Sequence, residues 1–434
     1  MCGKLDAFTI TSRREARTQI QSDPYFDATT PAGTIAVIDS GVHETHVLFN
    51  NPRHLGVLRD CVNGGPQCDN TDNQDFNPLD ECNHGTSVIG IIAGNSQLGE
   101  EFRGVTAHTV DSFKVTNSAC VPDLNAILRG FQAALARGDA IISTSLGGDP
   151  QDSPQLEEAA DSAYDMGAIV TAAVGNLPPG AQDNQPGTAE SPAIAHKAIG
   201  VGAYDVGTQQ TICEQATGPT PDSRVKPDIQ APTDTETASN ASDTALQVFG
   251  GTSGSTPYAA GAAALVRDFL NGFGPIDNGQ VYAYLIASGQ SFSPDDIKGA
   301  GPLKLLLGGV VYFGMVEISP LQDIAIPFSV NSGDQRIDAA IWWPESATQA
   351  HNVITVQLSD PSNNEVASRG CIECVWQRLR FDGSPLAVGD WMFHIHGGVE
   401  VPVAPQTVYF VIHSTPFIPV TPESNECVVT RAPS

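Results

Sequence analysis

Three short segments carry side chains that could act together in nucleophilic catalysis. They are Asp39-Ser40-Gly41, His84-Gly85-Thr86 and Gly251 to Pro257, whose candidate is Ser253. A serine is activated when an imidazole takes its hydroxyl proton and a carboxylate orients that imidazole. Each segment alone is more typical of an ordinary turn or helix start than of a catalytic residue, so only their combination indicates a hydrolytic site.

The flanking residues predict where the three side chains lie. Thr34–Ile38 is an apolar run of strand length, which predicts a buried parallel strand that ends at Asp39. Small and apolar residues after His84 predict a buried helix that begins there. Pro257 fits a first helical turn, and the alanine-rich run behind it predicts a central helix. Ser253 is therefore expected near a helix N-terminus, where backbone N–H groups face developing negative charge.

These motifs resemble those of the subtilisin-like serine proteases, the subtilases, over about residues 30 to 309. Two positions depart from the family pattern: Ser87 stands where a second histidine is common, and Ser255 where alanine is usual. Neither carries a triad atom. The resemblance implies an α/β fold with a parallel sheet covered by helices on both faces, and serine endopeptidase activity. Four further segments follow the family's order, namely Ser145–Gly148, Ala172–Asn176, Gly200–Ala203 and Val225–Pro232.

The resemblance also implies the catalytic roles. Ser253 would be the nucleophile, His84 the base, and Asp39 the carboxylate that fixes the imidazole. Asn176 would donate its side-chain amide to the oxyanion, beside the backbone N–H of Ser253.

Substrate binding is implied in the same way. Ser145, Leu146 and Gly147 would pair with an extended substrate as an added strand. Ala173 and Gly175 would line the pocket for the residue before the cut. Because both are small, the pocket is expected to have room for a sizeable apolar side chain.

Two other functions stay open. A subtilase-type transpeptidase or macrocyclase, or a leader-peptide processing protease in peptide biosynthesis, would use the same triad. However, only about 45 residues separate Asp39 from His84, which leaves little space for helices that shield an acyl-enzyme from water. A catalytically silent scaffold that binds peptides is the third alternative, and the intact triad argues against it.

The chemistry requires no cofactor, but two clusters could bind a metal. Asp69, Asp72 and Asp75 offer hard oxygen ligands at close spacing, so this loop is either a calcium site or a solvated acidic loop. The pairs Cys371/Cys374 and His394/His396 could supply four zinc ligands. For the second cluster we favour a local disulfide or two thiols, with the histidines on the open face of a strand.

The chain of 434 residues is too long for one ordinary core. We expect an N-terminal extension at 1–30, the catalytic domain at 31–309, a C-terminal domain at 310–416 and a tail at 417–434. Beyond Tyr312 apolar and polar residues alternate, which predicts an antiparallel β-sandwich of jelly-roll type. The polar segment Ala231–Thr244 is predicted to be a surface loop.

Charge and cysteine content limit the partners and the compartment. With 21 basic and 49 acidic residues the net charge is −28, which disfavours nucleic acid and anionic membranes as partners. The resemblance implies a peptide or protein substrate. The longest apolar run, Leu305 to Val316, is too short to span a bilayer. No signal peptide is visible, so the chain would be cytoplasmic as written or secreted if it is a processed form. Nine cysteines, an odd number, leave the compartment open, and the oligomeric state is undetermined.

Overall fold

A computed structural model describes residues 11–70, 73–372, 374–383, 385–399, 401 and 405–416, and the backbone of 427–428. Within these residues the helices α1 to α7 are Arg13–Ile20, Asp23–Ala28, Gly85–Ala93, Leu124–Arg137, Pro154–Asp165, Gly251–Asn271 and Asn278–Ala287. Strands β1 to β10 are Thr34–Asp39, Leu55–Asp60, Thr109–Lys114, Ile141–Thr144, Ile169–Ala173, Ile199–Asp205, Gln210–Ile212, Ile229–Pro232, Thr235–Ala238 and Leu246–Phe249. Strands β11 to β19 are Val310–Ile318, Asp323–Val330, Asp334–Trp342, Ile354–Ser359, Glu365–Gly370, Trp376–Asp382, Gly389–Gly397, Gln406–Pro416 and Cys427–Val428.

A mostly parallel sheet forms the centre of the N-terminal part. Its strands follow the order β2, β3, β1, β4, β5, β6, all parallel, and β8 joins β6 in parallel as well. Strand β7 pairs with β6 in the antiparallel direction. The prediction of an α/β fold around a parallel sheet is confirmed, with this antiparallel pair as an addition.

The strand β1 shows how the sequence builds a core on each face. Ile35 and Val37 belong to the core that also contains α3, α6 and α7. Ala36 and Ile38, on the opposite face, pack with α4 and α5. Since successive side chains of a strand point to opposite faces, a run that is apolar throughout needs helices on both sides.

The first two helices are part of the larger core. Ser12 begins α1 with a capping box, in which it exchanges hydrogen bonds with Glu15. Ala16, Ile20 and Tyr25 are buried in the same cluster as α6. Arg13 and Arg17 of α1 are buried as well, so the segment predicted as an N-terminal extension packs through charged as well as apolar side chains.

The C-terminal part is antiparallel, as the alternating pattern predicts. One four-stranded sheet has the order β11, β18, β13, β16 and the other β12, β17, β14, β15. One apolar cluster contains side chains of both sheets, among them Ile337, Val356 and Phe393. The jelly-roll arrangement stays a prediction. Of the predicted tail at 417–434, only the backbone of 427–428 lies within the described residues.

Two local predictions are wrong. Ala231–Thr244 is not a surface loop, because it contains the end of β8 and the buried strand β9, whose Thr237 donates a hydrogen bond to the carbonyl of Ser87. Pro257 does not lie in the first turn of its helix, because α6 begins at Gly251. Within the described part of the chain, none of the helices combines the length and apolar character that a bilayer crossing requires.

Candidate active site

Asp39 is the last residue of β1, and its side chain is almost completely buried. One carboxylate oxygen, Oδ1, accepts the N–H of Ser40 at 2.7 Å and lies 2.7 Å from Nδ1 of His84. A carboxylate in this position fixes the imidazole so that Nδ1 carries the proton and Nε2 remains free to accept one.

His84 caps the N-terminus of α3, as predicted, and its ring packs edge-on against Phe249 with 4.9 Å between ring centroids. Burial alone would lower the pKa of His84. The charge and hydrogen bond of Asp39, together with the charge of Asp80, outweigh burial and raise this pKa above its usual value. The site therefore stabilises the imidazolium that forms when a base takes a proton.

Ser253 lies in the first turn of α6 and exchanges two hydrogen bonds with Ser145. Its hydroxyl donates to the carbonyl of Ser145 at 3.2 Å, and the Ser145 hydroxyl donates to the carbonyl of Ser253 at 3.1 Å. The second bond has a local cause: Pro257 has no N–H, so the helix cannot supply a donor to the carbonyl four residues earlier. Between the described side chains of Ser253 and His84 there is no hydrogen bond.

Asn176 is held beside the nucleophile by Thr252, the residue before Ser253 in α6. Its Oδ1 accepts the backbone N–H of Thr252 at 3.0 Å and the Thr252 hydroxyl at 3.3 Å. Because only the amide oxygen can accept from an N–H, the Asn176 amide nitrogen is left to donate elsewhere. Gly251 permits this close approach: a Cβ on it would lie 2.8 Å from Oδ1, and its φ is +66°.

The predicted substrate-binding residues follow two neighbouring strands. Ser145, Leu146 and Gly147 come directly after β4, and Ala173 ends β5, with Gly175 two residues later. Since β1, β4 and β5 are adjacent and parallel, their carboxyl ends place these residues at the same sheet edge as Asp39.

Two acidic residues of this region were missed by the sequence analysis. Asp80 is buried and links both flanks of the Asp39–His84 pair, because it accepts the hydroxyl of Ser40 at 2.7 Å and the N–H of Thr86 at 2.9 Å. The sequence signal that could have identified Asp80 is its position four residues before His84. Glu190 lies beside Gly147 and Gly175, and no motif marks it.

The predicted calcium loop does not form a ligand cluster in the described residues. Asp75 is exposed, Asp69 is half-buried, and neither belongs to a group of three convergent acidic, histidine or cysteine side chains. Asp72 lies outside the described residues. Calcium binding at this loop stays a prediction.

The described cysteines are joined in disulfides and none is a free thiol. Cys371 and Cys374 are bonded to each other, as favoured over a zinc site. Two further bonds, Cys61–Cys68 and Cys82–Cys120, flank the segment that leads to His84.

Comparison with known proteins shows the family to which this chain belongs. A model of the subtilase family matches residues 32–301. Subtilisin amylosacchariticus of Bacillus subtilis subsp. amylosacchariticus is 30% identical over 234 residues, 54% of this chain and 54% of that protein. Subtilisin-like protease 2 of Pseudogymnoascus destructans is 29% identical over 281 residues, 63% of this chain and 61% of that protein. Serine protease AprX of Bacillus subtilis is 30% identical over 268 residues, 54% of this chain and 56% of that protein.

The fold and the comparisons together assign the chain to the class of subtilisin-like serine proteases. The chain belongs to the subtilase family. It spans about half the length of several curated relatives that it matches, subtilisin J and subtilisin E among them.

Proposed function

We propose that this chain is a serine endopeptidase that cleaves peptide bonds through an acyl-enzyme on Ser253. The observation that carries the proposal is the Asp39–His84 hydrogen bond of 2.7 Å at the sheet edge that also holds Ser253 and Asn176. Asp39 and His84 are paired as their roles require, and Asn176 is held beside Ser253 with its amide nitrogen left to donate. A peptide-binding scaffold would not need this arrangement.

In the proposed reaction, Ser253 Oγ attacks the carbonyl carbon of the substrate while His84 Nε2 takes the hydroxyl proton. Asn176 Nδ2 and the backbone N–H of Ser253 donate to the oxyanion of the tetrahedral intermediate. The intermediate collapses when His84 returns the proton to the leaving amine. Water then attacks the acyl-enzyme by the same route, and Asp39 stabilises the imidazolium in both halves.

The hydroxyl of Ser253 has to exchange one acceptor for another before it reacts. In the free enzyme it donates to the carbonyl of Ser145, and catalysis requires it to donate to His84. Catalytic hydrogen bonds are commonly formed only once substrate is bound, so this arrangement is compatible with activity.

Labelling with a fluorophosphonate tests the nucleophile. We expect one label per chain on Ser253 and no label or peptide hydrolysis in Ser253→Ala. Ser255→Ala is the matched control, because Ser255 lies in the same turn of α6 but its hydroxyl donates to a helix carbonyl. Labelling that persists in Ser253→Ala would reject the proposal.

Mass spectrometry of the peptide products separates hydrolysis from acyl transfer. Products that carry a free carboxylate establish an endopeptidase. Products joined to an added amine or to their own N-terminus would assign the chain to the transpeptidases or macrocyclases instead.

We also propose that the enzyme works in an oxidising compartment. The support is the number of disulfides, since such bonds are rare in reducing cytosol. Alkylation of the native protein before and after reduction tests this, because protein taken from its cellular compartment should gain label at these cysteines only after reduction.

A further inference from the structure

Two backbone segments, 145–148 and 173–176, adjoin the nucleophile, and the region between them is named the cleft. Segment 145–148 begins at Ser145, whose carbonyl oxygen is 3.2 Å from Ser253 Oγ. Segment 173–176 ends at Asn176, which binds the N–H of Thr252 beside the nucleophile. A side chain that enters between these segments starts its path at the reacting serine.

Glu190 and Ser191 close the far end of this cleft. The N–H of Glu190 donates to the carbonyl of Val174 at 2.9 Å, on one side. On the other side Ser191 and Gly148 exchange two backbone hydrogen bonds, each of 3.0 Å. The dipeptide therefore connects both sides, and the side chain of Glu190 belongs to the end of the cleft.

The carboxylate of Glu190 lies between the two sides. A Cβ placed on Gly175 would be 2.7 Å from Glu190 Oε1, and a Cβ placed on Gly147 would be 3.3 Å from Oε2. A side chain at Gly175 would crowd the carboxylate, whereas one at Gly147 would first meet the carbonyl oxygen of Ser191 at 2.5 Å. Gly175 thus leaves the room that the carboxylate occupies.

The charge of Glu190 is not compensated by a neighbour. Among the described residues, none donates a hydrogen bond to this half-buried carboxylate, and none forms a salt bridge with it. Burial, and then the nearby charge of Asp149, raise the pKa of Glu190. A cation that entered the cleft would relieve both effects, because an opposite charge stabilises an ionised carboxylate.

We propose that the cleft binds the substrate residue before the scissile bond, and that Glu190 makes lysine or arginine the preferred residue there. This inference rests on the proposed endopeptidase function. It differs from the expectation of an apolar residue, because Ala173 and Gly175 describe only the sides of the cleft and Glu190 supplies its end. Glu190 is a specificity-determining residue that contacts the substrate and takes no part in proton transfer.

Paired peptide substrates that differ only before the cut test this. Lysine is compared with norleucine, which has a similar aliphatic chain without the ammonium group. We expect kcat/KM to be about 10- to 100-fold higher for lysine, the range for a hydrogen bond to a charged group. Glu190→Gln, which keeps the shape of the side chain, should abolish this ratio while norleucine cleavage persists. Asp149→Asn is the matched control and should retain the preference for lysine.

Failure of this inference can be told from failure of the proposed function. If the enzyme cleaves norleucine substrates at least as well as lysine substrates, or if Glu190→Gln retains the ratio, the assignment of Glu190 is wrong but the protease stands. If fluorophosphonate does not label Ser253, the proposed function is wrong. Benzamidine binding to Ser253→Ala protein, measured against neutral benzamide, tests the cation site without catalysis: equal binding of the two would also reject the assignment.

A second, independent observation concerns the outer face of the C-terminal part. Asp323 of β12 lies directly opposite His396 of β17, and His394 is two residues away on the same face. The Asp323 carboxylate is 3.1 Å from Nδ1 of each histidine, and the three ligand atoms lie within 4.8 Å of one another.

We infer that these three residues bind a late divalent transition metal such as Zn²⁺. Two imidazoles and one carboxylate are a ligand set that such ions prefer, and further positions would be open to water. The cysteines that the sequence offered as partners are bonded to each other, and Asp323 takes their place.

Titration with Zn²⁺ and with Co²⁺ tests this second site. We expect Asp323→Asn and His396→Gln each to lose one bound Zn²⁺ and the visible absorption of tightly coordinated Co²⁺. His43→Gln is the matched control. His43 also pairs with a surface carboxylate, Asp243, but among the described residues no second histidine forms an ion pair with Asp243. No saturable binding, or an equal loss in His43→Gln, would reject the site.

Discussion

At the scale of single residues, the proposed mechanism makes the activation of Ser253 depend on the protonation state of His84. The base form is the neutral imidazole. Asp39 and Asp80 outweigh burial and raise the pKa of His84, so the protonated form persists to higher pH than in an ordinary histidine. Stabilising the imidazolium helps proton transfer, but it also narrows the pH range in which the free enzyme is active.

We therefore predict that kcat/KM declines as pH falls through the pKa of His84, with a midpoint above about 6.5, the usual value for histidine. A substrate with a neutral side chain before the cut keeps Glu190 out of the measurement. An NMR titration of His84 in Ser253→Ala protein should give a similar midpoint. A midpoint below that of an ordinary histidine would contradict the electrostatic argument.

The amide of Asn176 gives a second prediction. Asn176→Ala should lower kcat about 10²- to 10³-fold, the range known for removal of such a donor in subtilisin itself, with a smaller effect on KM. Asn176→Asp is the matched control, because it can still accept the N–H of Thr252 but cannot donate. If the aspartate variant retained activity, the role of Asn176 would be to hold Thr252 instead.

At the scale of elements, the bonds between α6 and the segment after β4 position the nucleophile. Pro257 leaves the carbonyl of Ser253 without its helical donor, and Ser145 supplies one. Thus Ser145 replaces the missing helical hydrogen bond, and its own carbonyl also accepts the hydroxyl of Ser253. The sheet and the helix are joined at the point where chemistry is proposed to occur.

A double-mutant cycle tests this connection. Ser145→Ala alone should reduce the free energy of unfolding by about 1–2 kcal/mol, because the Ser253 carbonyl loses its donor. In a Pro257→Ala background the new N–H can bond to that carbonyl, so the same change should cost less. Urea denaturation of the four proteins gives the coupling energy. Purely additive effects would show that the two positions do not share this carbonyl.

The sequence predicts the elements that long apolar runs define, and misses what depends on tertiary contacts. Thr34–Ile38 and the helix after His84 follow from local patterns, since both elements are buried throughout. The strand β9 was missed because its buried threonines satisfy their hydroxyls through partners distant in sequence, such as Ser87. Glu190 was missed for the same reason: its neighbours Gly147 and Gly175 lie in the segments after β4 and β5, which are distant from it in sequence.

At the scale of the whole molecule, the C-terminal sheets pack against the N-terminal part through buried polar and aromatic groups. Helix α7 contacts β13 and β18, and the rings of Tyr282 and Trp342 are 4.6 Å apart. Trp376 donates its indole N–H to Asp228 at 3.0 Å, and the same carboxylate lies 2.6 Å from the Lys226 ammonium. These residues belong to the core of the N-terminal part or complete its buried ion pair, so the interface contributes to one shared core.

This interface predicts that a chain ending near Gly309 is less stable than the full chain. Loss of the C-terminal sheets would expose the face of α7 that packs on Trp342, and would remove the indole donor from Asp228. We expect a clearly lower melting temperature, with any folded fraction still able to hydrolyse small esters, because all the proposed triad residues precede the cut. Trp376→Phe isolates the hydrogen bond in the full chain and should cost about 1.5–3 kcal/mol, since the acceptor is charged. Equal melting temperatures for the full and shortened chains would show that the C-terminal sheets are an independent appendage, whatever the effect of Trp376→Phe.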